Sequence, residues 1–258
     1  MNQHAYLKAS NADKNDEFGW SVAVSGDTIV VGARYEDGSI TSTLGSPNHL
    51  APIAGAAYVY TRSVDGMWTQ AAYLKASNAE AYDGFGESVA VSGDTIVVGA
   101  FGEDGSITST LGSENNAASN AGAVYVYPRS VDGMWTQAAY LKASNAEAND
   151  NFGSSVALSG DTIVVGTRFE DGSVTSTLGS PNNDATTAGA AYVYTRSVDG
   201  TWTQAAYLKA SNAETFDGFG ESVAVSGDTI VVGARGEAGS ITSTLGSPNN
   251  LATQAGAA

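Results

Sequence analysis

The segment SVAVSGDTIVVGA at residues 21–33 returns almost letter for letter at 88–100, 155–167 and 222–234. The Phe-Gly pairs ahead of these copies, Phe18-Gly19, Phe85-Gly86, Phe152-Gly153 and Phe219-Gly220, stand 67 residues apart, with no insertion or deletion between them. A fixed period of this length means that one structural unit is written four times and that each unit needs its neighbours to bury its faces. The units run at about 11–77, 78–144, 145–211 and 212–258 within a single domain spanning 1–258, and residues 1–10 are expected to supply an outer strand to the last unit.

Each unit reads as four strands. In the first, Ser21 to Ser25 alternates small polar and apolar residues, and Gly26-Asp27 separates it from the β-branched run Thr28 to Val31, a two-residue hairpin signal. A stretch rich in Ser, Thr, Pro and Gly follows and reads as a long surface loop. Next, AAYVYTRSV and MWTQAAYLKA flank Asp65-Gly66, a second hairpin. The expected strands are a (about 20–26), b (28–34), c (56–64) and d (67–76). No segment holds an apolar period near 3.6, so helices are not expected. Tandem four-stranded antiparallel units are the sequence form of propeller blades. The fold class is therefore all-β: a β-propeller of four-stranded antiparallel blades with the last blade incomplete. Strand a, built of Ser, Val and Ala, is narrow enough for the crowded axis, and Trp68, Trp135 and Trp202 are expected to cover blade junctions.

FGWSVAVSGDTIVVGA followed by AGAAYVYTRS resembles the FG-GAP repeat, the blade unit of integrin α-subunit propellers and of many bacterial surface proteins. The Phe-Gly pairs carry one half of that name. Gly32-Ala33, Gly99-Ala100, Gly166-Thr167 and Gly233-Ala234 carry the other, with the proline replaced by Arg34, Phe101, Arg168 and Arg235. The resemblance implies a non-catalytic surface or secreted binding and adhesion module. It does not bring the family's calcium loop between strands a and b: only Gly26-Asp27 and its copies stand there, and one carboxylate on a tight turn cannot wrap a cation with six or more oxygens.

Asp and Glu number 27 against 11 Lys and Arg, a formal charge of −16, so the field repels phosphate backbones and anionic membrane surfaces. Nucleic acid is excluded as a partner on this reading. With no cysteine there is no disulfide, thiolate metal site or cysteine nucleophile. No apolar run approaches the roughly 20 residues that span a bilayer, and MNQHAYLKAS has neither the basic nor the apolar region of a signal peptide. An extracellular or cell-surface location would require an export signal lying outside this chain.

Strand directions put the a–b and c–d turns at one end of the propeller and the b–c loop and d–a connection at the other. Seven acidic residues belong to the tight-turn end: Asp27, Asp94, Asp161, Asp228, Asp65, Asp132 and Asp199. The remaining twenty fall at the long-loop end or in the first residues of strand a, most of them in two recurring pairs. The d–a connection carries Asp13 and Asp16, Glu80 and Asp83, Glu147 and Asp150, Glu214 and Asp217. The b–c loop opens with Glu36-Asp37, Glu103-Asp104 and Glu170-Asp171, and with Glu237-Ala238 in the fourth copy. Two readings stand: the carboxylates satisfy nearby backbone donors, or they hold Ca²⁺ with neighbouring carbonyls. The SITSTLGSPN loops offer hydroxyls and amides to a protein or carbohydrate ligand at that face.

No catalytic constellation is present. The acidic pairs repeat in the same polar setting, so nothing divides acid from base; His4 and His49 lack copies, and no nucleophile elbow, phosphate loop or zinc motif occurs. The leading function class is a binding or adhesion module. The alternatives are a lectin-like propeller and a repeat scaffold that self-associates through open blade edges. The fourth unit stops short of the stretch corresponding to 58–67, which leaves an open edge and three arrangements: a small four-bladed ring closed imperfectly, the simplest; a segment of a larger propeller of about seven blades; or subunits that complete one another through exposed edges.

Overall fold

The structure, a computed structural model, describes residues 3–38, 49–106, 112, 115–173, 182–238 and 254–258. Unit 1 contains β1 (Ser21–Ser25), β2 (Thr28–Ala33), β3 (Ala56–Arg62) and β4 (Trp68–Leu74). Unit 2 contains β5 (Phe85–Ser92), β6 (Thr95–Ala100), β7 (Ala123–Pro128) and β8 (Ala139–Leu141). Unit 3 contains β9 (Ser155–Ser159), β10 (Thr162–Thr167), β11 (Ala190–Arg196) and β12 (Trp202–Leu208), and unit 4 contains β13 (Phe219–Ser226) and β14 (Thr229–Ala234). Every pairing between these strands is antiparallel and between sequence neighbours. The fold is an all-β β-propeller of four-stranded antiparallel blades, and no helix occurs among the described residues.

Local sequence sets the hairpins. Ser25 pairs with Thr28 across Gly26-Asp27, and Gly26 takes the left-handed φ of 55° that a two-residue loop demands at its first position. The wider β3–β4 turn closes through Ser63 N–H to the Met67 carbonyl and Gly66 N–H to the Ser63 carbonyl, both at 2.9 Å. Unit 2 departs in one respect: β8 is three residues long. Its neighbour β7 ends in Pro128 where β3 has Thr61, and a proline has no N–H for the ladder, so beyond β8 the pairing thins to the Ala138 N–H on the Val126 carbonyl, the Thr136 N–H on the Pro128 carbonyl and the Arg129–Trp135 bridge.

Each blade has two unlike faces. Ala23, Val30, Ala57, Val59 and Leu74 of unit 1 meet Phe85, Val89, Val91, Ile96 and Tyr125 of unit 2, a small-residue face against an aromatic one. The same match joins Val97, Val124 and Val126 to Phe152, Tyr192 and Tyr194 between units 2 and 3. Val164 and Ala191 meet Val232 and Phe219 between units 3 and 4. The inner strands therefore pack in series, β1 on β5, β5 on β9 and β9 on β13.

Two expectations are corrected here. Residues 3–20 form no strand, and residues 7–9 lie over unit 1 instead of beside unit 4. Leu7 and Ala9 cover Tyr58, Tyr60 and Tyr73, while the Tyr60 hydroxyl donates to the Lys8 carbonyl at 2.6 Å. The segment repeats the letters YLKAS of residues 73–77 and takes the place that 74–79 takes over unit 2, where the Tyr127 hydroxyl donates to the Lys75 carbonyl at 2.8 Å. The simplest ring does not form either. Val22 and Val24 of β1 and Val231 of β14 are exposed, so units 1 and 4 do not cover one another. Three repetitions of one inter-blade step carry the blades round an arc that does not close on itself.

Candidate functional site

The long-loop end is built from interleaved connections. The Gly84 N–H donates to the Ile53 carbonyl of the preceding b–c loop at 2.9 Å, and the Gly102 N–H of the following loop donates to the Asp83 carbonyl at 3.0 Å. The d–a connection entering unit 2 is thus held between two b–c loops, as is the one entering unit 4, which brings the two sets of recurring carboxylates together.

Most of these carboxylates are engaged by the fold. Glu103 is buried; its Oε2 accepts from the Tyr140 hydroxyl at 2.5 Å, Lys142 Nζ at 3.1 Å and the Gly105 N–H at 2.9 Å. Its Oε1 accepts from Asn78 Nδ2 at 3.0 Å, and Asn78 Oδ1 accepts from the Tyr125 hydroxyl at 2.9 Å. Because Asn78 belongs to the connection entering unit 2, this network locks each blade to the segment before it. Glu36 with Lys75 at 3.2 Å and Glu170 with Lys209 at 3.0 Å repeat it. Burial pulls all three lysines below their ordinary pKa, against the opposing pull of the paired glutamate. In unit 4, Glu237 Oε1 accepts from Asn212 at 2.9 Å.

The adjoining aspartates hold backbone. Asp37 Oδ1 accepts from the Ile53 N–H at 2.8 Å, and Asp104 and Asp171 accept from the N–H groups of Asn120 and Thr187 at 2.6 Å each. These three donors sit at left-handed φ values of 58°, 52° and 56°, which the clamp stabilises against the strain of a side chain. Asp16, Asp83, Asp150 and Asp217 accept from the N–H of the acidic residue three positions earlier, at 2.8, 2.7, 3.0 and 2.7 Å. Of those earlier residues, Glu80 and Glu147 accept from Asn116 and Asn183 at 2.8 and 2.7 Å, and Asp13 lies 3.5 Å from His49. Glu214 contributes its backbone N–H to the turn. Burial first, and the neighbouring carboxylates after it, push Asp83 up to about 7 and Asp150 to about 8; Asp16 and Asp217 are also raised. Among the described residues no group of three or more His, Asp or Glu side chains is arranged to hold a metal ion.

A second feature lies at the mouth of the axis. Trp20, Glu87, Ser154 and Glu221 occupy one repeat position in the four units, at the start of strand a, and all four line a cavity of about 380 Å³. Phe101, Arg168 and Phe169 from the ends of the second strands and Asn151 from the connection entering unit 3 complete its walls. Arg34 stacks over Trp20 at 3.3 Å and pairs with Glu17 and Glu87 at 3.0 Å each. Arg168 stacks over Phe169 at 4.4 Å and reaches Glu221 at 3.3 Å, while its Nε is buried without a hydrogen-bond partner. A neighbouring cavity of about 480 Å³ between units 3 and 4 is lined by Phe216, Arg235, Thr187 and Gln254 among others. Units that agree at nearly every framework position disagree at these: Trp, Glu, Ser, Glu at the first, and Arg34, Phe101, Arg168, Arg235 at the second.

A protein-family model described as FG-GAP repeat matches residues 1–60, 68–127, 135–194 and 202–247. The chain belongs to the FG-GAP repeat family. No curated protein matches it at a significant level. In this FG-GAP chain the residues behind the family's name meet at the blade junctions. Phe85 is buried edge-on to Tyr125 and Tyr127, with ring centroids 5.3 and 6.1 Å apart. Gly86 turns at a φ of 93° and presents its carbonyl to Ser21 Oγ at 2.8 Å, so close to Gly32 that a Cβ there would overlap it. The FG of one unit and the GA of the unit before are thus the two sides of one backbone contact. Where the motif has proline, this chain has Phe101, Arg168 and Arg235, which line the cavities, and Arg34, which stacks on the cavity residue Trp20.

Trp135 and Trp202 are buried in the junction clusters, as the sequence suggests, with Arg129 and Arg196 stacked over them at 5.8 and 5.3 Å. Sequence reasoning missed the lysine partners of the glutamates. Their signal was present: Lys8, Lys75, Lys142 and Lys209 hold one repeat position in a chain with only 11 basic residues. The SITSTLGSPN loops fall largely outside the described residues.

Proposed function

We propose that this chain is a non-catalytic binding module that takes a protein ligand at the axial cleft of the long-loop end and works on the outside of the cell. The supporting observation is the distribution of differences among the repeats: the blades are copied and the cleft is not. A cleft walled by Trp20, Phe101 and Phe169 suits a polypeptide segment carrying apolar side chains, and the acidic surface around it favours basic ones beside them. The net charge of −16 draws such a ligand toward the surface. Catalysis is not part of this reading, because the carboxylates of the cleft are paired with arginine and those of the junctions with lysine or backbone.

The test is retention on peptide and glycan arrays by the full chain and by Trp20→Ala and Phe101→Ala variants. Binding to basic, apolar peptides weakened at least tenfold by both substitutions supports the proposal. Unchanged retention in both variants overturns it, and retention on glycans alone transfers the site to the lectin-like reading. Retention is expected to be equal in calcium and in chelator, because the recurring carboxylates already have partners.

A further inference from the structure

The exposed ends of the arc are complementary to one another. On unit 1 the aromatic face is covered by Leu7 and Ala9 over the tyrosines, but the β1 part is bare: Val22 and Val24 are 69% and 68% exposed, against 8% and 9% for Val89 and Val91. Those two counterparts are covered by the first two strands of the preceding unit, through Ala23 and Val30. On unit 4 the corresponding small-residue face is bare in turn. Val231 is 47% exposed where Val30, Val97 and Val164 are fully buried, and Ala224 beside it is exposed. The uncovered part of unit 1 is the part that strands a and b of another unit would cover, and strands a and b are what unit 4 presents.

The hydrogen bonds continue the argument. Ser21, Ser88 and Ser155 donate through Oγ to the carbonyls of Gly86, Gly153 and Gly220 at 2.8, 2.7 and 2.8 Å. The N–H groups of Gly93, Gly160 and Gly227 donate to Ser25, Ser92 and Ser159 Oγ at 3.2, 3.2 and 3.3 Å. One more step of the series would pair Ser222 Oγ with the Gly19 carbonyl and the Gly26 N–H with Ser226 Oγ. Ser222 and Ser226 lie exposed on β13, and Gly19 and Gly26 flank the exposed β1.

We propose that two copies of this chain associate head to tail, with β13 and β14 of one packed on β1 and β2 of the other, reproducing the internal blade junction. Such a contact is heterologous, so it either closes when both pairs of ends meet or extends into a filament. It buries apolar side chains between two bodies of like charge, so salt should tighten it.

Sedimentation velocity of the full chain from 1 to 200 μM at low and at moderate salt, with Val22→Asp and Val231→Asp variants, tests it. Both substitutions sit on exposed positions, and an unchanged circular dichroism spectrum and melting temperature verify the fold. The wild type is expected to form dimers or longer assemblies, tighter with salt, and each variant alone to need at least tenfold more protein. Mixing the variants should restore a dimer, since the intact tail of one meets the intact head of the other. A wild type that stays monomeric to 200 μM overturns the proposal, as does assembly indifferent to either substitution. Loss in Val22→Asp alone, unrescued by mixing, also overturns it, because that pattern belongs to two heads meeting.

Discussion

Asp83 and Asp150 are buried acids that keep their protons near neutral pH, and this gives the chain a pH dependence opposite in direction to ordinary acid denaturation. Each is surrounded by like charge: Glu103, Glu80 and Asp104 around Asp83, and Glu170, Glu147 and Asp171 around Asp150. Folding raises both above the ordinary carboxylate range, to about 7 and about 8, so the stability they contribute is complete below that range and is lost as pH rises through those values. One pKa unit is about 1.4 kcal/mol. Between pH 6 and pH 9, Asp150 then loses at most about 3 kcal/mol and Asp83 about half of that. At about 2–4 °C per kcal/mol for a chain of this size, Tm falls by on the order of 10 °C. The exposed Asp65, Asp132 and Asp199, held low by their serine hydrogen bonds, titrate in acid outside this window. Calorimetric melting at pH 6, 7, 8 and 9 should show the decline, and an Asp83→Asn/Asp150→Asn double variant, whose amides accept the same backbone N–H without ionising, should be nearly flat. A wild-type Tm constant from pH 6 to 9, or a double variant with the wild-type slope, would mean that Asp83 and Asp150 are not the source of the pH dependence.

Two further outcomes follow from the junctions. Glu103→Gln leaves the Lys142 ammonium buried without a counter-charge and should cost about 3–5 kcal/mol by urea denaturation, while adding Lys142→Met should recover a large part of that loss. Gly99→Ala, whose Cβ would overlap the Gly153 carbonyl, should cost about 1–3 kcal/mol, whereas alanine at Gly133, where the nearest atoms are the tip of Arg129, should cost about 1 kcal/mol from its left-handed φ alone.

The strands, both hairpins and the number of repeat units were legible because they rest on local rules. Alternation at Ser21 to Ser25, the Gly26-Asp27 loop and the 67-residue period need no knowledge of distant contacts, and the four strands of unit 1 fall within two residues of those expected. The acidic pairs were legible as a pattern and not as chemistry. Sequence alone leaves Glu103 facing solvent as readily as Lys142: 39 residues separate them, and only the pairing of β6, β7 and β8 in one sheet brings them to 3.1 Å. The axial cleft was illegible for the same reason: Trp20 and Glu221 come from opposite ends of the chain.

By itself, the amino-acid sequence determined that the chain is a series of copied sheets with a small-residue face and an aromatic face. Pattern and turn chemistry act within a few residues, and copying carries them through the chain. Tertiary structure alone decided which carboxylates are buried with lysine, which variable side chains meet at the axis, and that the arc stays open. The first depends on strands of one blade pairing across 39 residues, and the other two on the rotation from one blade to the next, which is written at no single position.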